Sequence, residues 1–196
     1  MINNLEININ QNFASRAIKQ SNALRIEKES AFSYNILQDW KANKGNIKGR
    51  LVMIAFRIAH LATSNKISHI LLVPYLVFYK VFVLWFLGIE LQHRVKIGSG
   101  LKLSHGMGLV IHKSTIIGKN CTLRQCTTIG KKSSIGDKKS AGTIIGDHVD
   151  VGANVCIIGS IVIGNNTIIG AGSVVVKDVP ENVVVVGNPA RIIKSV

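Results

Sequence analysis

The chain has 196 residues, 47% of them apolar and 17% charged, which excludes wholesale disorder and suits one core of ordinary domain size with a small extension. Its net charge is +14, and 11 basic against 4 acidic residues over 1–88 and 13 against 6 over 89–196 exclude a basic arm appended to a neutral body. An anionic partner follows, but no zinc-finger, RRM or homeodomain signature is present, so nucleic acid is not expected.

The opening residues are Asn-rich and lack the apolar run of a signal peptide. Ala31, Phe32, Tyr34, Ile36, Leu37 and Trp40 recur at helical spacing behind Ser30, a candidate N-cap, and Lys44-Gly45-Asn46 reads as a stop. A second helix is expected from about Leu51 to Leu61. Residues 70–89 (ILLVPYLVFYKVFVLWFLGI) have the length of a membrane span, but Lys80 sits at the centre and Pro74 interrupts the first turns. The stretch is read first as a buried or oligomer-contact helix. Peripheral contact with a membrane surface is the second reading, and the most that is claimed for a bilayer.

Near residue 89 the pattern changes. An aliphatic residue followed by Gly recurs as Ile97-Gly98, Ile117-Gly118, Ile129-Gly130, Ile145-Gly146, Val151-Gly152, Ile163-Gly164 and Ile169-Gly170. A six-residue unit is one short strand and one turn, and three units close a triangular coil of about 18 residues. The expected fold class is therefore mainly β: a parallel β-helix of hexapeptide repeats over 89–196, left-handed as known hexapeptide repeats are, preceded by an α-helical region over 1–88.

The phase of the repeat slips twice. Ile97, Leu103 and Leu109 share one phase, Ile111 to Ile135 a second, and Ile145 to Val175 a third. Extra residues must leave the wall of a stacked coil, so each slip predicts an extruded segment on a binding face. The first is Ser104-His105-Gly106-Met107-Gly108. The second spans about Lys131 to Ile144, and the two are expected to flank one cleft.

His105, set among small neighbours in the first slip, is the candidate general base. Glu90, 15 residues earlier and so close to one coil back, is the candidate orienter of its imidazole. His112 is read as equally suited to the same cleft or to a solvent-facing wall. Lys131, Lys132, Lys138, Lys139, Lys177 and Arg191 offer cations for a phosphorylated cofactor, and Gly152-Ala153 and Gly170-Ala171 offer small corners. Cys121, Cys126 and Cys156 form no CxxC pair and are read as buried fillers in a reducing compartment. No metal site is expected, and no covalent nucleophile is apparent.

The segments SHGMGLVIHKS, VGANVCIIGSIVIGNNTIIGAGSVVVKDVP and VVGNPARII resemble the hexapeptide-repeat acyltransferases of the serine acetyltransferase-like branch. The helical approach is similar to the polysaccharide-cluster members of the colanic acid biosynthesis type. The resemblance covers about residues 38–196. It implies a homotrimer with acetyl-CoA in the groove between adjacent β-helices, His105 as the catalytic base and Glu90 as its supporting carboxylate. It implies Ala153, Ala171 and Arg191 as cofactor contacts; with the Gly-rich turns and cations above, the expected cofactor-binding set is Gly130, Ala153, Ala171, Lys177 and Arg191.

Two departures bear on the acceptor. Serine acetyltransferases carry an Arg-His pair where this chain has Ala141-Gly142, and a second acid where it has Lys113. The expected acceptor is therefore a hydroxyl of a surface-polysaccharide sugar. Serine O-acetyltransferase is the alternative, and a non-catalytic scaffold at the membrane surface is the alternative of another class. The expected location is cytoplasmic, with peripheral contact on the inner face of the membrane as the limit of what the apolar stretch implies.

Overall fold

The computed structural model describes residues 34–131 and 142–196. Ser30, Ala31, Phe32, Lys132, Ile135, Lys138, Lys139 and Ala141, named above, lie outside those residues.

The hexapeptide pattern folds as a left-handed parallel β-helix with three faces. Face one stacks β1 (Ile89–Leu91), β4 (Leu109–Ile111), β7 (Thr128–Gly130), β10 (Cys156–Ile158) and β13 (Val174–Val175). Face two stacks β2 (Lys96–Ile97), β5 (Ile116–Ile117), β8 (Ile144–Ile145) and β11 (Val162–Ile163). Face three stacks β3 (Lys102–Ser104), β6 (Thr122–Arg124), β9 (Asp150–Val151), β12 (Ile168–Ile169) and β14 (Val183–Gly187). Period-two alternation turns aliphatic residues of each strand inward, and Leu91, Leu109, Ile117, Leu123, Ile129, Ile145, Val151, Ile157 and Ile163 are fully buried.

The strand register accounts for both slips. Ile111 pairs with Ile129 and Ile145 with Ile163, a coil of 18 residues. Ile97 pairs with Ile117 and Leu103 with Leu123, 20 apart, so two extra residues leave the wall between β3 and β4. Ile117 pairs with Ile145 and Leu123 with Val151, 28 apart, so ten leave it between β7 and β8. The two segments do not share a corner: the first departs between faces three and one, the second between faces one and two. They border opposite edges of face one, which corrects the expectation of one cleft between them in a single coil stack.

The C-terminus also departs from the repeat. β14 turns at Gly187 and pairs antiparallel with β15 (Ala190–Ser195), closing the last coil with a hairpin.

At the other end, residues before 89 close the first coil. Residues 36–45 are successive turns and not the expected helix. Trp40, Lys44 and Asn46 donate to carbonyls three residues back, at 2.9, 3.1 and 3.0 Å, whereas Asn43 reaches Asp39 O four back, at 3.2 Å. This winding aims Asp39 and Asn43 at the first coil. The Asp39 carboxylate accepts from Leu101 N at 2.9 Å, and the Asn43 side chain accepts from Leu103 N and donates to Leu101 O at 2.9 and 2.8 Å.

Helix α1 (Ile47–Leu61) starts four residues before the expected Leu51, because Asn46 caps it by accepting from Gly49 N. α1 turns Val52, Met53, Phe56 and Ala59 onto the coil. Its Arg57, 1% exposed, pairs with Asp39 and donates to Ile97 O and Gly98 O at 2.8 and 2.7 Å.

Helix α2 (Lys66–Tyr79) opens with an Asn65–Ser68 capping box and continues as a π-helical segment, Lys80–Phe86. Tyr79 donates to Leu91 O at 2.5 Å and Tyr75 to Ala55 O at 3.0 Å, fixing the inner side. The outer side is bare: Ile67, Ile70, Leu71, Trp85 and Phe86 are all at least 70% exposed. The first expectation here was a buried or oligomer-contact helix, and the structure corrects its first half: within one chain this side is not buried.

Candidate active site along one corner

The corner between faces three and one carries the first slip. Ser104 lies opposite Arg124 in the register, and the chain then swings through His105, at φ +62, and Gly106, at φ +72. Gly106 is turned inward, where an added Cβ would stand 3.1 Å from Leu103 and 3.3 Å from Ile89, so a small residue is required and His105 is pushed out to solvent. Gly108 N donates to Gly88 O at 2.9 Å and returns the chain to the wall.

The same corner continues through the later coils as a backbone ladder. Cys126 N donates to Met107 O, Asn154 N to Gln125 O, and Gly172 N to Ala153 O, at 2.8, 3.0 and 2.9 Å. His105, Ala153 and Ala171 therefore stand along one line down the prism. A Cβ on Gly152 would meet Ala171 N at 2.5 Å, so successive corners pack backbone on backbone along this line, a track of small residues. At the far end Gly187 N donates to Ser173 Oγ at 3.1 Å, and Arg191, opposite Val186, is exposed beside that turn.

Glu90, opposite Val110 on the outer side of β1, is exposed at the His105 end. No hydrogen bond joins Glu90 to His105 within the single chain. The structure thus sets His105, Ala153, Ala171 and Arg191 along one corner, with Glu90 in the middle of β1 on the adjoining face. It sets Gly130 and Lys177 at the opposite edge of face one, where Gly130 O accepts from Gly159 N at 3.1 Å. His112 is also at that edge, its Nδ1 2.7 Å from Ser114 Oγ.

That opposite edge is where the second insertion returns to the wall. Gly142 lies hard against the preceding coil, and a Cβ there would fall 1.9 Å from Ser114 O. No side chain fits Gly142 without a backbone shift.

Two features of the corner escaped the sequence. Gln125 Oε1 is buried with no hydrogen-bond partner, one coil beyond His105. Arg124, beside Ser104, is ion-paired with Asp150 and donates to Val151 O at 3.0 Å. Both look like wall residues in the repeat, and only the pairing of Ser104 with Arg124 reveals their place. The cysteines also divide: Cys121 is buried, Cys156 half-buried, and Cys126 exposed at this corner, which corrects the reading of all three as buried fillers. Among the described residues no group of three His, Cys, Asp or Glu is placed to hold a metal ion.

The corner suits an elongated ligand. The small residues Ala153 and Ala171 and the stacked glycine backbone suit a narrow chain, and Arg191, exposed at the far turn, suits phosphate. At the other end an imidazole and a carboxylate stand within one coil of each other.

No family model matches the chain. Over 82 residues, 40% of its length, it is 37% identical to the Escherichia coli (strain K12) protein named "Putative colanic acid biosynthesis acetyltransferase WcaB". That match spans about half the length of the curated relative, 51%. Among solved structures it is similar to the Neisseria gonorrhoeae serine acetyltransferase in complex with serine, with 30% identity and TM-score 0.66 over 87% of this chain and 70% of that one. It is likewise similar to the soybean serine acetyltransferase apoenzyme, with 30% identity and TM-score 0.69 over 81% of this chain and 67% of that one.

Proposed function

The chain belongs to the hexapeptide-repeat, left-handed β-helix acyltransferases, and from that premise we propose that it is an O-acetyltransferase that uses acetyl-CoA. The observation that carries the reading is the line from His105 through Ala153 and Ala171 to Arg191 along one corner. The pantetheine arm lies along this track, with Arg191 at the phosphate end. His105 accepts the proton of the acceptor hydroxyl as its oxygen attacks the thioester carbonyl, and Glu90 positions the imidazole and offsets its charge. Acetyl passes directly to the acceptor and CoA leaves as the thiol, with no enzyme-bound intermediate.

Gly130 and Lys177 at the far edge of face one fit the same groove only if it forms between copies, one edge from each. This supports the trimer that the family resemblance implies. The free cysteines suit a reducing, cytoplasmic setting.

The sequence places a sugar hydroxyl first as acceptor, but the similarity to serine acetyltransferases, one of them with serine bound, gives L-serine the stronger support. A specific observation keeps the sugar as a second reading. At Gly142, where the family resemblance places a histidine of the serine site, the contact with Ser114 O leaves no room for a side chain. Partial similarity to the colanic acid relative points the same way.

CoA release from acetyl-CoA, measured with L-serine and with polysaccharide fragments of the source organism, decides between them. Turnover with either acceptor that falls by about 10²–10⁴-fold in His105→Ala supports the mechanism. Turnover unchanged by that substitution overturns the role of His105, and no CoA release with any acceptor favours the scaffold reading.

A further inference from the structure

We propose that the outer side of α2 and its π-helical continuation docks flat on an anionic lipid bilayer, making the chain a monotopic, surface-bound protein. This stands apart from the choice of acceptor and rests on a different part of the molecule.

An ordinary surface helix hides its apolar side and shows water its polar one. Residues 66–86 do the reverse. Over this 21-residue helix only 11% of its most apolar stretch is buried, at a mean hydropathy of 1.9. The inner line of Tyr75, Leu76, Tyr79 and Val83 is held on the coil, and the rest faces out: Ile67, Ile70, Leu71, Phe78, Phe82 and Trp85 are 43–74% exposed. Phe78, Phe82 and Phe86 stack in a row with centroids 5.5 and 5.6 Å apart, an aromatic ridge of the kind that settles at a headgroup boundary. A contiguous apolar surface of this extent marks a docking site.

Charge names the occupant. Between residues 34 and 88 the only acidic residue is Asp39, which is buried against Arg57, while Lys66 and Lys80 lie on the apolar helix itself and Lys41, Lys44, Lys48 and Arg50 precede it in the chain. A second copy would bring a helix with two lysines and no acidic residue against itself, whereas an anionic headgroup layer is attracted to it. Depth is limited by the same contacts that fix the helix: Tyr79 on Leu91 O and Tyr75 on Ala55 O keep one side on the protein, so the helix lies in the interface and does not cross it. Along the seam a cavity of about 460 Å³ joins apolar Val73, Val77 and Leu84 to Lys80, His69 and Gln92, a lining that suits a headgroup and the start of its chain.

The test is flotation of the full chain with phosphatidylcholine vesicles and with vesicles that also contain phosphatidylglycerol. Binding to the second and not the first is expected, weakened by salt. Phe82→Ser with Trp85→Ser, both at exposed positions, lowers it by about tenfold or more, and Lys66→Glu with Lys80→Glu lowers it as well. With Trp40→Phe, the emission of Trp85 shifts to the blue on the acidic vesicles. Circular dichroism and sedimentation velocity of each variant should match the parent. Equal binding by parent and variants overturns the proposal. So does absence of binding with a smaller assembly in the Phe82/Trp85 variant, which would make this face an interface between copies.

Discussion

Arg57 and Asp39 form an ion pair at 2.8 Å with both side chains 2% exposed or less, and between them they satisfy three backbone groups of the first coil: Ile97 O, Gly98 O and Leu101 N. A β-helix begins with an open rim of backbone donors and acceptors, the same hazard as any sheet edge. Here the rim is closed by side chains from the preceding segment, so the region before residue 89 is part of the β-helix's stability.

Removing either partner leaves the other charge buried and alone, which costs about 3–5 kcal/mol. Arg57→Ala and Asp39→Ala are each expected to lower the urea midpoint by that equivalent. The double variant should lose clearly less than the sum, because it leaves no orphaned charge. Urea titrations of the three variants followed by circular dichroism check this.

Much of this fold was legible because a hexapeptide repeat ties each Ile or Val to one inward position, and phase slips of two and four residues match extrusions of two and ten. The position of His105 was legible for the same reason: it stands at a break in the register. The corner of each extrusion was not, because phase gives the number of extruded residues only up to multiples of six and not which of three edges they leave from. The C-terminal hairpin and the turns over 36–45 were hidden for another reason. Ile36, Leu37 and Trp40 keep helical spacing, but Asp39 and Asn43 are held by backbone groups some sixty residues away, at Leu101 and Leu103, and that bond overrides local preference. Gln125 was invisible because its orphaned oxygen depends on its neighbours in space.

Cysteine reactivity should separate by position. Burial pushes the Cys121 thiol up to about 12, so it is neither accessible nor ionised at neutral pH. Cys126 is exposed at the candidate corner. A disulfide reagent applied to the native chain should label Cys126 quickly, half-buried Cys156 more slowly and Cys121 only after denaturation. Mass spectrometry of labelled peptides locates the sites, and Cys126→Ser should remove the fast phase.

Stability should fall on mild acidification. His60 donates from Nδ1 to His93 O at 2.7 Å, and burial holds its pKa below the usual histidine value. His93 is lowered too, by burial first and then by neighbouring Arg94. A group with a lowered folded pKa is neutral in both states above about 6.5, where its contribution is complete. As pH falls through that value the unfolded chain takes up the proton first, and stability is lost down to the folded pKa. The urea midpoint should therefore drop between about pH 7.5 and 5, above the range of ordinary carboxylates. His60→Asn should flatten part of that slope even if it lowers the midpoint throughout.

Two glycines of the candidate corner should respond in opposite ways to one substitution. Gly152 is confined by contact: an added Cβ would lie 2.5 Å from Ala171 N and 2.8 Å from its Cα, both backbone atoms that move only with the coil. Gly172 is confined only by conformation, at φ +70 with open space where a Cβ would go. Asn120, Asn154, Asn166 and Asn182 already adopt such angles, at φ between 54 and 58. Asparagine is among the residues that tolerate this region best. Gly172→Asn should therefore leave the thermal midpoint within a few degrees of the parent. Gly152→Asn should cost about 1–3 kcal/mol, as overpacking does, and should part the corners that align Ala153 with Ala171. If the track holds acetyl-CoA, its KM should rise in Gly152→Asn more than thermal destabilisation alone would explain. Thermal melts paired with acetyl-CoA titrations of CoA release, run well below each variant's midpoint, separate the two effects.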